Sequence, residues 1–240
     1  MPLMTRLRAF LSYALIRLYL ELHPVAMKFE GLRIHCPRGC FPPKGVISTS
    51  LLARACRPLL GLSPALDLGA GVGALTLVLA RGGSYTVAAD LNLRCLRAAT
   101  LNAKLNGLHH LVDLVACDGA SALRRGAFRL VLVNPPYLPL KPRSPVDAQV
   151  CGGASLELAT RLLAWALYAV KPGGVVIYAL STLSGKQPSR AKAILSSYTP
   201  LERITAYLTR RAKFNRLQGW HNAVSKRGVR VREPAATLRG

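Results

Sequence analysis

The sequence predicts an α/β fold built on a mostly parallel sheet with helices on both faces, and three observations lead to it. From residue 65 onward, short apolar runs alternate with helical patterns, the rhythm of strands joined by helical crossovers. The first of those runs ends in the glycine-rich turn "DLGAGVG" at 67–73, placed between a strand and a helix. With 240 residues, 51% of them hydrophobic, the chain can bury one sizeable core.

Each element then follows in order. The opening "RLRAFLSYALIRLYLEL" carries Leu7, Phe10, Leu11, Ala14, Leu15, Leu18 and Leu22 at helical spacing, which predicts an amphipathic helix docking that apolar stripe on the domain or on a partner, its own domain being the preferred seat. Arg8, Arg17 and Glu21 interrupt it short of the roughly 20 apolar residues of a membrane span. It also lacks the unbroken apolar stretch and small-residue cleavage site of a signal peptide. The expected organisation is a helix and lead-in over 1–40 and a single domain over 41–240, with no membrane partner.

"ALDLGAGVGALTLVLARGG" reads as strand, glycine loop and helix, and "YTVAAD" as a second strand. "LNLRCLRAATLNAKLNG" is a helix stopped by Asn106 and Gly107. "LVDLVACD" is a third strand and "FRLVLVN" a fourth, halted because Pro135 and Pro136 carry no backbone N–H for a sheet ladder. "SLELATRLLAWALYAV" is a helix, and "GGVVIYALS" a fifth strand entered through a turn at Lys171–Gly174. Between them Leu138–Gly153, with three prolines and two glycines, is the expected active-site loop. After Gly185 a short helix and a strand around "RITAYL" precede a basic tail containing Phe214 and Trp220, a composition that suits RNA contact or a solvated edge hairpin.

The 33 Lys and Arg against 10 Asp and Glu leave a net charge of +23, which attracts RNA, ribosomes or acidic surfaces. Cys36, Cys40, Cys56, Cys95, Cys117 and Cys151 include no C-x-x-C pair, and Cys36 and Cys40 have no two further ligands nearby, so no metal site is expected. Reduced, buried thiols in a cytoplasmic protein are the expectation.

The chemistry concentrates at predicted strand ends. Gly69, Gly71 and Gly73 allow positive φ and bring backbone close to a ligand at a helix N-terminus. They run G-x-G-x-G behind Asp67, and that carboxylate would repel a pyrophosphate but accept hydrogen bonds from a cationic amino group. This points to the methionine part of S-adenosyl-L-methionine. Asp90, followed by Leu91, ends the second strand at the interval where such folds place a carboxylate on ribose hydroxyls, and Asp118, followed by Gly119, ends the third within reach of an adenine amine.

"NPPY" at 134–137 suits a different group. A planar amide or exocyclic amine is a poor nucleophile, and methylating it requires acceptors for its N–H groups and a wall that fixes its plane. The Asn134 side-chain oxygen, which also borders the cofactor, and the Pro135 carbonyl are such acceptors. Pro136 stiffens the turn and Tyr137 offers a stacking face.

Together "DLGAGVG", "AADLN" at 88–92, "NPPYLP" at 134–139, "CGGASLE" at 151–157 and "KPGG" at 171–174 resemble the HemK/PrmC family of class I S-adenosylmethionine-dependent methyltransferases. The resemblance runs from about Phe41 to about Ser184, and N-P-P-Y is shared with N6-adenine and some N2-guanine enzymes. It implies a Rossmann-like, mostly parallel seven-stranded sheet with an antiparallel C-terminal hairpin. It further implies methylation of the glutamine side-chain amide (N5) in the Gly-Gly-Gln sequence of a translation release factor, with RNA or DNA amino-methylation as the alternative. The short lead-in is similar to the archaeal and eukaryotic branch, whose members pair with a small zinc-binding activator. "FPPKGVISTS" departs from the family in having no carboxylate before the glycine loop.

Overall fold

The computed structural model describes residues 3–184, 192–198 and 203–210. Helix α1 (Leu3–Leu22) leads into a hairpin of β1 (Ala26–Phe29) and β2 (Leu32–His35). Its turn is Glu30-Gly31, both at positive φ, the mirror-image turn whose twist matches two antiparallel strands. After α2 (Ile47–Ala55) come β3 (Ala65–Leu68), α3 (Ala74–Arg81), β4 (Thr86–Asp90), α4 (Leu93–Leu105) and β5 (Val112–Ala116). The chain continues through β6 (Phe128–Val133), α5 (Glu157–Ala169), β7 (Val170–Ser181), β8 (Lys192–Tyr198) and β9 (Arg203–Arg210).

The seven-stranded sheet has the order β5-β4-β3-β6-β7-β9-β8; β5 through β7 run parallel, and the β9 and β8 pairings are antiparallel. Strands β3 and β6 lie at its centre, and their residues alternate between faces. Ala65, Leu130 and Leu132 join a core with α2, α3 and α4, whereas Leu66, Leu68, Val131 and Val133 pack with Trp165, Ala166 and Ala169 of α5. From β3 the chain winds outward to β5, then returns to β6 and winds the other way. The crevice beyond the carboxyl ends of β3 and β6 is therefore the switch point where such folds bind ligands. Leu68 pairs with Val133, so Gly69 and Asn134 leave adjacent strands side by side.

Several expectations need correction. The apolar stripe of α1 faces outward: Met4, Leu7, Phe10, Leu11, Leu15, Leu18 and Leu22 are 44–67% exposed, and Ala9, Ser12 and Leu20 are buried instead. Small residues let the helix approach closely, and polar groups fix its rotation, since the Tyr13 hydroxyl donates to Asp147 Oδ1 at 2.9 Å and the Tyr19 hydroxyl to the Lys44 carbonyl. Leu20→Ala is expected to lower stability by about 3 kcal/mol in urea unfolding, and Leu15→Ala by under about 0.5 kcal/mol, because only the first leaves a cavity.

Cys40 and Cys95 are not reduced thiols but a disulfide joining the lead-in to the first turn of α4, with Cα atoms 5.7 Å apart. Cys36, Cys56, Cys117 and Cys151 are free and buried. The expected turn at Lys171–Gly174 lies inside β7: Phe128 pairs with Val170 and Leu130 with Val175, so 171–174 bulge out opposite Arg129. Residues 192–198 form a strand, not the expected helix, and pair antiparallel with β9. The basic stretch after Arg210, including Phe214 and Trp220, lies outside the described residues. No helix among the described residues is long and apolar enough to cross a membrane.

Candidate active site

A cleft of about 580 Å³ opens at the switch point, within the size range of small-molecule sites. One half is built by the glycine loop, the end of β4 and the start of α4; the other by the 134–138 turn, the loop after it, and Ile16, Phe41 and Pro43 from the N-terminal side. Asp67, Gly69, Gly71, Asp90, Leu91, Asp118, Gly119 and Asn134–Tyr137 all line it.

Gly69 and Gly71 have φ of +77° and +53°, and a Cβ built on either meets nothing within 4 Å, so bare backbone borders open space. Gly73 serves packing instead: it precedes α3 at φ +78°, and a Cβ there would lie 2.9 Å from Ala99 Cβ on α4. Gly119 is also constrained from below, since a Cβ would come within 2.1 Å of Trp165 Cδ1.

The three strand-end acids have unequal surroundings. Asp67 is 2% exposed, and its Oδ2 accepts from the Thr76 amide at 2.8 Å and the Thr76 hydroxyl at 2.7 Å, tying β3 to α3. Burial pushes its carboxyl up to about 6, against the lowering effect of those two bonds. Asp90 Oδ2 accepts from the Gly71 amide and Oδ1 from the Asn92 amide, both at 2.8 Å, so it braces the glycine loop against the entry to α4. Burial raises its carboxyl too, opposed by those amides. The helix cap at this point is Asn92, whose side chain accepts from the Arg94 and Cys95 amides. Asp118 stands at the rim, its side chain half exposed and its Oδ1 3.0 Å from Arg161 Nη2.

At the end of β6, Asn134 Nδ2 donates to Thr49 Oγ1 at 3.2 Å, while Asn134 Oδ1 is buried with no hydrogen-bond partner. An orphaned buried acceptor costs about 1–3 kcal/mol unless a ligand satisfies it. The turn is held from behind by the loop that follows. Leu138 N donates to the Val150 carbonyl at 3.1 Å and Gly152 N to the Leu138 carbonyl at 2.8 Å. Gly152 sits so close that a Cβ would lie 2.3 Å from the Pro136 carbonyl oxygen.

Sequence reasoning missed Ser48, Thr49, Arg94 and Arg161 as cleft residues. "FPPKGVISTS" contains no carboxylate, yet two of its three hydroxyls, those of Ser48 and Thr49, are buried at the start of α2, and Thr49 holds Asn134.

A doubly wound sheet with bare glycine backbone and strand-end carboxylates at its switch point has the Rossmann-like fold of the class I methyltransferases, whose methyl donor is S-adenosylmethionine. The open backbone, cleft volume and acids on this structure fit that cofactor. The chain belongs to the methyltransferase small domain family, which matches residues 32–178. It is 36% identical over 127 residues to the release factor glutamine methyltransferase of Deinococcus radiodurans, covering 48% of this chain and 44% of that protein. The same-named protein of Gloeobacter violaceus is 30% identical over 146 residues, covering 56% and 50%. The chain thus spans about half the length of these relatives. Among solved structures it is similar to the T. thermophilus 16S rRNA N2 G1207 methyltransferase bound to AdoMet and guanosine, with TM-score 0.60, 23% identity, and 78% and 49% of the two chains covered. That likeness is one of fold.

Proposed function

We propose that the chain methylates the side-chain amide nitrogen of a glutamine, in the Gly-Gly-Gln sequence of a translation release factor. The observation that carries this reading is Asn134: its amide donor is engaged by Thr49 and its buried Oδ1 is left as an acceptor beside the cleft. The names of the relatives supply the substrate class.

S-adenosylmethionine, when bound, supplies an electrophilic methyl on a sulfonium. Asn134 Oδ1 and the Pro135 carbonyl accept the two N–H groups of the substrate amide and turn its nitrogen toward the methyl. Pro136 limits the motion of the turn, and Tyr137 lies against the amide plane. The work is positioning, which can account for 7–11 kcal/mol of a barrier in favourable cases. On the donor half, Gly69 and Gly71 would admit the ligand against the backbone, Asp67 would accept from its amino group, Asp90 and Leu91 would hold the ribose, and Asp118 and Gly119 would hold the base. A small zinc-binding activator belongs to the same reading as a partner.

The test offers labelled methyl donor with a release factor carrying Gly-Gly-Gln and with its Gln→Ala variant. Labelling of the first alone is expected; equal labelling of both overturns the reading. The net charge of +23 favours a second reading, methylation of an adenine or guanine amine in RNA or DNA. Nuclease-sensitive label in place of protein label selects it.

Asp67 makes donor binding pH-dependent. Its folded carboxyl titrates near 6 rather than 3.8, so its contribution to stability is fully present below the unfolded value and is lost as pH rises through about 6. A cationic ligand requires the ionised form. Donor affinity by calorimetry should therefore rise about tenfold from about pH 5 to about pH 7, and Asp67→Asn should flatten that rise.

A further inference from the structure

We infer that Asp147 is a positioning residue through which α1 holds the acceptor half of the cleft, so that α1 governs acceptor recognition and not donor binding. This rests on the methyltransferase reading of the cleft but not on the identity of the acceptor.

Asp147 lies in the middle of the 138–153 loop and is 4% exposed, although neighbouring loop residues such as Ser144 and Pro145 are exposed. Two residues of α1 reach it: the Tyr13 hydroxyl donates to Oδ1 at 2.9 Å, and Arg17 Nε lies 3.8 Å from the same oxygen. The other carboxylate oxygen turns back on the loop, where Oδ2 accepts from the Arg143 amide at 3.0 Å. The Asp147 amide donates to Ser144 Oγ at 3.2 Å, and its carbonyl accepts from the Val150 and Cys151 amides. One residue thus joins the helix to the loop: its side chain ties α1 to the 143–144 limb, and its main-chain carbonyl holds the 150–151 limb. Burial alone would raise this carboxyl; the bonds from Tyr13, Arg143 and Ser144 and the charge of Arg17 outweigh it and hold the group below the usual carboxylate range.

The residues around Asp147 form the cleft wall. Pro145, Ala148, Gln149 and Val150 face the cavity from the loop, and Ile16, one turn from Tyr13 and beside Arg17, faces it from α1. A second tie runs parallel to the first, as Gln149 Nε2 donates to the Gly39 carbonyl at 2.8 Å. The loop in turn holds the Asn134–Tyr137 turn through the Leu138 pairing with Val150 and Gly152. None of these contacts touches the glycine loop, Asp67 or Asp90. Loosening Asp147 should widen the acceptor side and leave the donor side as it is.

The experiment compares wild type with Asp147→Asn, Tyr13→Phe and Asp147→Glu in the full chain. Donor affinity is measured by calorimetry, hydrogen exchange is followed over 138–153, and KM and kcat are measured with whichever acceptor the wild type methylates. For Asp147→Asn we expect donor affinity within about twofold, exchange over 138–153 faster by about tenfold or more, and acceptor KM raised about tenfold with a smaller change in kcat. Tyr13→Phe should follow in the same direction and Asp147→Glu should recover part of the loss. Unchanged exchange in the loop, or a fall in donor affinity equal to the rise in acceptor KM, overturns the inference. Absence of methylation of any glutamine by the wild type would count against the proposed substrate alone, because the exchange and donor-binding measurements stand without it.

Discussion

Replacing Asn134 with alanine is expected to lower methyl transfer by about 100-fold, roughly 2.7 kcal/mol of transition-state stabilisation, while leaving donor affinity within about twofold. The alanine removes the acceptor that is buried without a partner beside the cleft, and it frees Thr49 Oγ1, whose 3.2 Å contact fixes which edge of the Asn134 amide is left for a ligand. Single-turnover transfer with saturating donor separates the two effects. A loss confined to donor binding would place Asn134 on the cofactor alone and withdraw the acceptor role. Asn134→Asp is the sharper companion, since it keeps the shape but turns the donor held by Thr49 into an acceptor; it should be nearly as damaging.

Gly71→Val should abolish measurable donor binding, a fall on the order of 100-fold or more, because the added side chain projects into open space on the cleft side of the backbone. Strain alone would also destabilise the protein, as a β-branched residue is poorly accommodated at φ +53°. Gly83 supplies the control. It has φ +86°, likewise with nothing within 4 Å of a built Cβ, but it follows α3 at the opposite end of the sheet and is not a cleft residue. Gly83→Val should carry a similar stability loss in thermal unfolding and bind donor normally. Equal donor affinity in both variants would remove the glycine loop from the cofactor site.

The strand and helix pattern from Ala65 to Ala169 was legible because a parallel sheet buried on both faces writes continuous apolar runs, and helices between them write a 3.6-residue period. The stop at Val133 was legible for a reason of covalent chemistry, the missing N–H of two prolines. The bulge at 171–174 was not, because K-P-G-G is an equally good free turn and only the pairing of Phe128 with Val170 draws it into the sheet. Nor was the orientation of α1. Its leucines form the stronger apolar stripe by composition, yet the helix docks by Ala9, Ser12 and Leu20, because Tyr13 and Arg17 find a buried carboxylate 130 or so residues away along the chain.

The chain by itself determined the α/β class, the place of the glycine loop and the acids at or just beyond strand ends, since these depend on local period, backbone freedom and the order of residues along the chain. Tertiary structure alone decided which groups meet: Gly69 beside Asn134, Thr49 on the Asn134 amide, Asp67 on Thr76, Cys40 on Cys95, and Asp147 of the 138–153 loop on Tyr13 of α1. Those contacts join residues far apart in sequence, and a hydrogen bond or disulfide depends on distance and direction in space, which separation along the chain does not encode.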